Sequence, residues 1–192
     1  LRGGHRAVMQ PIRFAFVGCG RISRKHVDAL TATKDAALVA VCDEQPDRAR
    51  RVGEAAGVPW FDSYDRMLSA IDCDVVSILT PSGLHATHTV DIATRFRRHI
   101  VCEKPMALRL EDADRMIEAC DCAGVRLFVV KQNRYNRAVQ RLREALEAGR
   151  FGRLVLGTVR VRWCRDQAYY DQDAWRGRWE LDGGVLANQA SH

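Results

Sequence analysis

Five short runs of the chain are almost wholly apolar: residues 12–17 (IRFAFV), 38–42 (LVAVC), 74–79 (DVVSIL), 99–102 (HIVC) and 126–130 (RLFVV). Between them lie stretches of mixed polarity, at about 21–32, 46–56, 63–70, 84–96 and 110–123. There the less polar positions return at helical spacing, as at Leu84, Thr87, Val90 and Ala93. Apolar strands that alternate with amphipathic helices predict a parallel sheet covered on both faces. The expected architecture over residues 10–130 is therefore a doubly wound α/β domain of the Rossmann type.

Beyond residue 130 the pattern changes. Residues 135–149 predict an Arg- and Glu-rich helix, with Gly149 suited to its C-terminal cap. Residues 153–164 (RLVLGTVRVRWC) alternate apolar and charged side chains, the period of a half-exposed antiparallel strand. A loop rich in Asp, Tyr, Trp and Arg is expected at 165–182, and a helix opens at GVLANQASH. One strand and one opening helix do not close a domain. Residues 131–192 thus read as the first part of a second domain, and the natural protein is expected to continue beyond His192.

Composition narrows the class. At 47% hydrophobic and 28% charged the chain can bury an ordinary core. No apolar run approaches the ~20 residues of a membrane span, so no membrane role is expected. Residues 1–8 lack a hydrophobic signal core, and Met9 reads as a natural start. The formal charge is +6, but the arginines are dispersed among 24 acids, without a basic stripe interleaved with aromatics. That argues against nucleic acid and for a basic surface or an anionic small-molecule substrate. The seven cysteines are scattered without a Cys-x-x-Cys pair and read as buried, reduced thiols of a cytoplasmic protein. Cys120 and Cys122 would point apart on a helix.

Three strand ends carry candidate chemistry. Gly18-Cys19-Gly20-Arg21-Ile22-Ser23 follows the first strand and opens a helix, and Asp43 ends the next strand 23 residues beyond Gly20. Gly18 allows a tight turn, Gly20 lets a pyrophosphate approach the helix N-terminus, and Ser23 stands where a third glycine would. Asp43 can accept hydrogen bonds from ribose hydroxyls and repel a 2′-phosphate, which favours NAD over NADP. The plain alternative is a glycine-rich turn that binds nothing. Thr80-Pro81-Ser82 follow the 74–79 strand and His85 opens the next helix, placing them at the nicotinamide side of the switch point. His85 and His88 lack obvious partner ligands, and no metal site is expected. Glu103-Lys104-Pro105 ends the 99–102 strand. With only four lysines against 26 arginines, a lysine at this edge points to chemistry, because Lys can lose its proton when desolvated and Arg effectively cannot. Residues 131–135 (KQNRY) follow the last strand and should face the same cleft.

GCGRISRKH, TPSGLH, CEKP and GGVLANQASH occur in that order. Together they resemble the Gfo/Idh/MocA family of oxidoreductases, and the resemblance covers residues 11–192. It implies that residues 131–192 are the N-terminal part of a substrate and oligomerisation domain built on a large open, mostly antiparallel sheet, and it implies a nicotinamide cofactor, a sugar or cyclitol substrate, and a homo-oligomer. The family's lysine maps onto Lys104, and Pro105 would fix the turn, as a cis bond. The family usually follows Gly-Gly with an Asp and a His four apart; here Gly183-Gly184 are followed by Asn188 and His192. With Tyr169-Tyr170-Asp171, Trp175-Arg176-Gly177 and Asp182-Gly183-Gly184, this resembles the UDP-N-acetylglucosaminuronate 3-dehydrogenase branch of bacterial surface-polysaccharide synthesis. The implied catalytic residues are Lys104 and His192. The implied cofactor contacts are Gly18, Gly20, Arg21, Ile22, Asp43, Thr80, Pro81, Ser82, His85, Glu103 and Lys104. Arg134, Tyr135, Arg165, Trp175, Arg176 and Asn188 would join Lys104 and His192 around the substrate, although tryptophans of this loop could equally pack and its arginines be solvated. The rival readings are an inositol or free-sugar dehydrogenase of the same family and a non-catalytic NAD(H)-binding regulator.

Overall fold

The computed structural model describes residues 10–190, so the expected start at Met9 and the expected base His192 lie outside the described residues. In chain order the first part runs β1 (Ile12–Val17), α1 (Ser23–Thr31), β2 (Ala36–Cys42), α2 (Pro46–Ala56), β3 (Trp60–Phe61), α3 (Tyr64–Ala70), β4 (Val75–Ile78), α4 (His85–Phe96), β5 (His99–Cys102), α5 (Leu110–Ala123) and β6 (Leu127–Val129). All five apolar runs are strands, and every helix expected between them is present. The strand that patterning misses is β3, whose two residues are too few to show a period. The sheet order is β3-β2-β1-β4-β5-β6, and every neighbouring pair is parallel.

Each face of the sheet has its own apolar layer. Phe16, Val41 and Ala49 pack with side chains of α1 and α2 on one face. Ala15, Val17, Ile78, Met67, Ile92 and Met116 pack with α3, α4 and α5 on the other. Successive residues of a strand point to opposite faces, so a strand buried on both must be apolar throughout. Each fully buried Ile or Met contributes about 1.5–3 kcal/mol. The chain leaves β1 toward one face and β4 toward the other, and a crevice forms where these adjacent strands end. Gly18, Asp43, Thr80 and Glu103-Lys104 all follow strand ends on this edge.

The second part comprises α6 (Arg137–Glu147), α7 (Gln167–Tyr170), α8 (Trp179–Asp182) and α9 (Gly184–Asn188). Val139, Leu142 and Leu146 of α6 lie on one exposed stripe. Residues 153–164, expected as a strand, take no regular structure, and Val155 and Val159 are 89% and 90% exposed. The alternation there is genuine, but a strand needs a neighbour for its N–H and C=O groups, and no described segment pairs with it. The expected opening of an antiparallel sheet is thus not formed among the described residues. The thiols also divide: Cys19, Cys42, Cys73, Cys102 and Cys120 are buried, whereas Cys122 and Cys164 are exposed, against the expectation that all are interior. Cys120 and Cys122 fall on opposite sides of α5 because i and i+2 do not share a helix face.

Candidate active site

The glycine turn is shaped by close backbone approach. Gly18 has φ +103°, and a Cβ there would lie 2.8 Å from the Leu79 carbonyl group. Both the conformation and the space therefore require glycine where β1 passes the end of β4. Ser23 is buried and its Oγ donates to the Gly20 carbonyl at 2.7 Å, so the residue replacing a third glycine braces the turn. Asp43 accepts from Cys19 N–H at 2.8 Å and from Gln45 N–H at 2.9 Å. An ionised carboxylate offers about four acceptor directions, so capacity remains for ribose hydroxyls.

These residues fit a dinucleotide. A Cβ on Gly20 would meet no atom within 4 Å, so open space stands before the turn and the N-terminal end of α1. The adjoining cavity, of about 510 Å³, is lined by Gly20, Arg21, Arg24, Arg48, Arg51 and Asp173 among others. Arginines beside a helix N-terminus suit a pyrophosphate. Arg48 is not free, however: its Nη2 lies 3.1 Å from Asp173, which also pairs with Arg176 at 3.2 Å. Ile22 precedes α1 and packs under the turn.

His85, expected among the cofactor contacts, opens α4. It is buried, with Nε2 2.9 Å from the Thr80 carbonyl and Nδ1 2.7 Å from the Pro105 carbonyl. Both nitrogens thus face backbone carbonyls, and the ring lies between the loop after β4 and the loop after β5. Burial, the strongest influence, lowers its pKa below the ordinary histidine value. Ser82 is likewise buried in a single 3₁₀ turn over Ser82–Leu84. Thr80 Oγ1 meets His88 Nδ1 at 3.1 Å. Both histidines are occupied by such packing contacts.

Lys104 stands at the centre of the site. The Lys104–Pro105 peptide is cis, as the resemblance implies. Lys104 Nζ donates to the Asn188 carbonyl at 2.7 Å and to Asn188 Oδ1 at 3.2 Å. Burial lowers its pKa, opposed by the charges of Glu103 and Asp182 and reinforced by Lys131. Glu103 accepts from the Lys104 amide at 3.0 Å and meets His26 Nε2 at 2.8 Å. Burial acts to raise the Glu103 pKa, but His26 and the Lys104 amide outweigh it and hold the acid below its ordinary value. Glu103 therefore braces the strand end against α1.

The remaining expected substrate contacts are dispersed. Arg134 and Tyr135 are exposed on a 3₁₀ turn over Gln132–Tyr135. The Arg165 guanidinium stacks on Trp163 and Tyr169 at the surface. Arg176 lies over the rings of Tyr169 and Trp175, with its Nε on Asp173. Only Asn188 of this group touches Lys104 directly. His26 and Asp173 are the residues sequence reasoning missed, and Asp182, quoted there only within the Gly-Gly motif, was given no role. Glu103 and Lys104 flagged the neighbourhood of His26, but no local pattern announces Asp173.

Known proteins resemble this chain along most of its length. Residues 12–131 match the oxidoreductase family's NAD-binding Rossmann fold, and residues 139–192 match the GFO/IDH/MocA C-terminal domain. The WlbA dehydrogenase from Bordetella pertussis, solved in complex with NADH and UDP-GlcNAcA, is 49% identical with a TM-score of 0.90, over 94% of this chain and 54% of that one. The WlbA dehydrogenase from Chromobacterium violaceum, solved with the same two ligands, is 46% identical with a TM-score of 0.91, over 95% and 53%. The D-apiose dehydrogenase of Paraburkholderia graminis is 37% identical over 77% of this chain and 40% of its own length. The chain thus spans about half the length of the solved relatives and less of the curated one. The glycine turn anchored to Asp43, the Lys104 strand end and the two matched segments together make this chain a member of the Gfo/Idh/MocA oxidoreductase family.

Proposed function

We propose that the protein is an NAD-dependent dehydrogenase that oxidises the C3 hydroxyl of UDP-N-acetylglucosaminuronate. The observation that carries the reading is the 49% identity, over 94% of the chain, to a dehydrogenase solved with NADH and UDP-GlcNAcA. Lys104 stands at the strand end with Asn188 against it. In the reaction a secondary CH–OH loses a hydride and a proton and becomes a ketone. NAD, when bound, supplies the hydride acceptor. The glycine turn and Asp43 hold the dinucleotide, as the open space before Gly20 supports.

His192 is assigned as general base, because an imidazole with an unperturbed pKa of about 6.5 is neutral near pH 7. The Lys104 ammonium has three N–H donors, two of which reach Asn188. Its third is assigned to the substrate oxygen, where the positive charge offsets the negative charge that grows as the proton leaves. The reading includes a cytoplasmic homo-oligomer.

A second reading, a dehydrogenase of inositol or a free sugar, draws on curated relatives such as the myo-inositol 2-dehydrogenase of Thermotoga maritima, 33% identical over 74% of this chain. Formation of NADH with UDP-N-acetylglucosaminuronate, UDP-N-acetylglucosamine, myo-inositol and D-apiose at fixed NAD separates the two. The expected outcome is a kcat/KM for the nucleotide-sugar acid at least tenfold above the others, about 1.4 kcal/mol. Preference for a free sugar or cyclitol would replace the first reading by the second, and NAD binding without turnover of any would leave the regulator.

A further inference from the structure

Asp182 is a buried acid that the proposed mechanism does not use. It is 4% exposed and ends α8. Its Oδ2 accepts from the Gly177 amide at 2.9 Å, and its Oδ1 accepts from Asn188 Nδ2. Among the described residues it forms no direct ion pair. Burying a carboxylate without a cation is costly unless hydrogen bonds compensate it, and here two donors face it.

Asn188 lies between this acid and Lys104. It is 9% exposed, its amide nitrogen faces Asp182, and its Oδ1 and backbone carbonyl face Lys104 Nζ. The two ends of an Asn amide are nearly equal in size, so packing alone does not choose between them. A carboxylate does choose, because when ionised it only accepts. It draws Nδ2 toward itself and turns Oδ1 toward the lysine.

The placement of Asp182 is built by contacts on both sides. A side chain at position 83 would collide with the Glu180 carbonyl, so the turn after β4 requires glycine to receive α8. Gly183 has φ +75°, and a side chain there would strike Leu108 in the loop after β5. Asp182 is thus held against the two loops that flank His85. The charged groups facing Lys104 are Glu103 on its own strand end, Asp182 from α8, Lys131 after β6 and, when protonated, His85.

We propose that Asp182 is a positioning residue for Lys104: through Asn188 it orients the side-chain oxygen that receives the ammonium, and it sets a carboxylate behind that contact. It acts through Asn188 and touches neither substrate nor cofactor. The effect on turnover rests on the proposed dehydrogenase reading, whereas the effect on Lys104 itself does not.

The test uses the lysines. There are four in the whole chain, so the side-chain resonances of ¹³C-lysine-labelled protein are resolvable, and Lys104→Arg identifies the one at the site. In Asp182→Asn the Lys104 pKa is expected to fall by about one unit, while Lys25, Lys34 and Lys131 stay in place. Asp182→Glu should recover at least half of that shift. Because Asp182→Asn could also weaken folding, Asp182→Asn with Asn188→Asp moves the charge one link closer while keeping an amide–carboxylate pair. That double variant should titrate Lys104 at or above its original pKa. If Asp182→Asn leaves Lys104 within about 0.3 units, or the double variant titrates below the unmodified protein, the proposal is overturned. If UDP-N-acetylglucosaminuronate is turned over, the fall of kcat at alkaline pH should move to lower pH in Asp182→Asn by the same amount. If that sugar is not a substrate, the nucleotide-sugar reading fails alone, and the lysine titration still decides the role of Asp182.

Discussion

Residues 12–131 hide their apolar side chains, and residues 137–190 largely display theirs. Phe16 and Ile78 are fully buried between sheet and helices, whereas Leu156, of similar hydrophobicity, is 87% exposed. The difference does not come from composition, since both segments are rich in Val and Leu. It comes from hydrogen-bond partners. The first part closes a six-stranded sheet within itself, so its apolar faces have helices to meet. The run at 153–164 has the alternation of a strand and no neighbouring strand among the described residues. The second part is fixed where it rests on the first: α8 on the turn at Ser82–Leu84, Asp173 on Arg48, and Asn188 on Lys104. The candidate site lies on that seam.

The contrast can be broken most strongly at glycine. Gly18→Ala forces a Cβ into the Leu79 backbone at a positive φ, and should cost roughly 3–5 kcal/mol in a urea melt. Gly157→Ala in the second part meets nothing within 4 Å and should change stability by no more than about 0.5 kcal/mol. Similar losses at both positions would mean that residue 157 is packed far more tightly than the open structure there allows.

Acid should weaken the first part through His88. Burial, the largest influence, pulls its pKa down to about 4. The unfolded chain therefore takes up the proton first. Stability from this group is whole above pH ~6.5, declines as pH falls toward 4, and loses nothing more below that. The full loss is roughly 3 kcal/mol. His88→Gln should flatten that portion of a stability–pH curve. An unchanged slope in the variant would assign the acid sensitivity to other groups.

Two further changes probe the seam itself. Lys104→Met should reduce turnover by about 10²-fold, near 2.7 kcal/mol, with NAD affinity within a few-fold, because Lys104 faces Asn188 across the seam while the glycine turn is untouched. Parallel loss of NAD binding would make Lys104 a cofactor anchor instead. The smallest expected effect is cofactor choice. The unmodified protein should bind NAD(H) at least tenfold more tightly than NADP(H), about 1.4 kcal/mol. Asp43→Ser should narrow that ratio in equilibrium titrations, more so when combined with Asp173→Asn, which releases Arg48 from its pair. An unmodified protein that favours NADP(H) would remove the role given to Asp43.

The sequence determined what depends on neighbours along the chain. Apolar strands alternating with helices, the glycine turn with Asp43, and the Glu103-Lys104-Pro105 strand end are all legible, because backbone geometry and side-chain period act over a few residues. Two-residue β3 was beneath that limit, and the alternation at 153–164 states a capacity for pairing that only a partner strand can realise. Tertiary structure alone decided that His85 lies between two carbonyls, that Asp173 occupies Arg48, and that Asn188 meets Lys104 with Asp182 behind it. Asn188 and Lys104 are 84 residues apart in sequence. Such contacts depend on where the sheet delivers its strand ends and on which loops have glycines small enough to touch, and local periodicity carries neither.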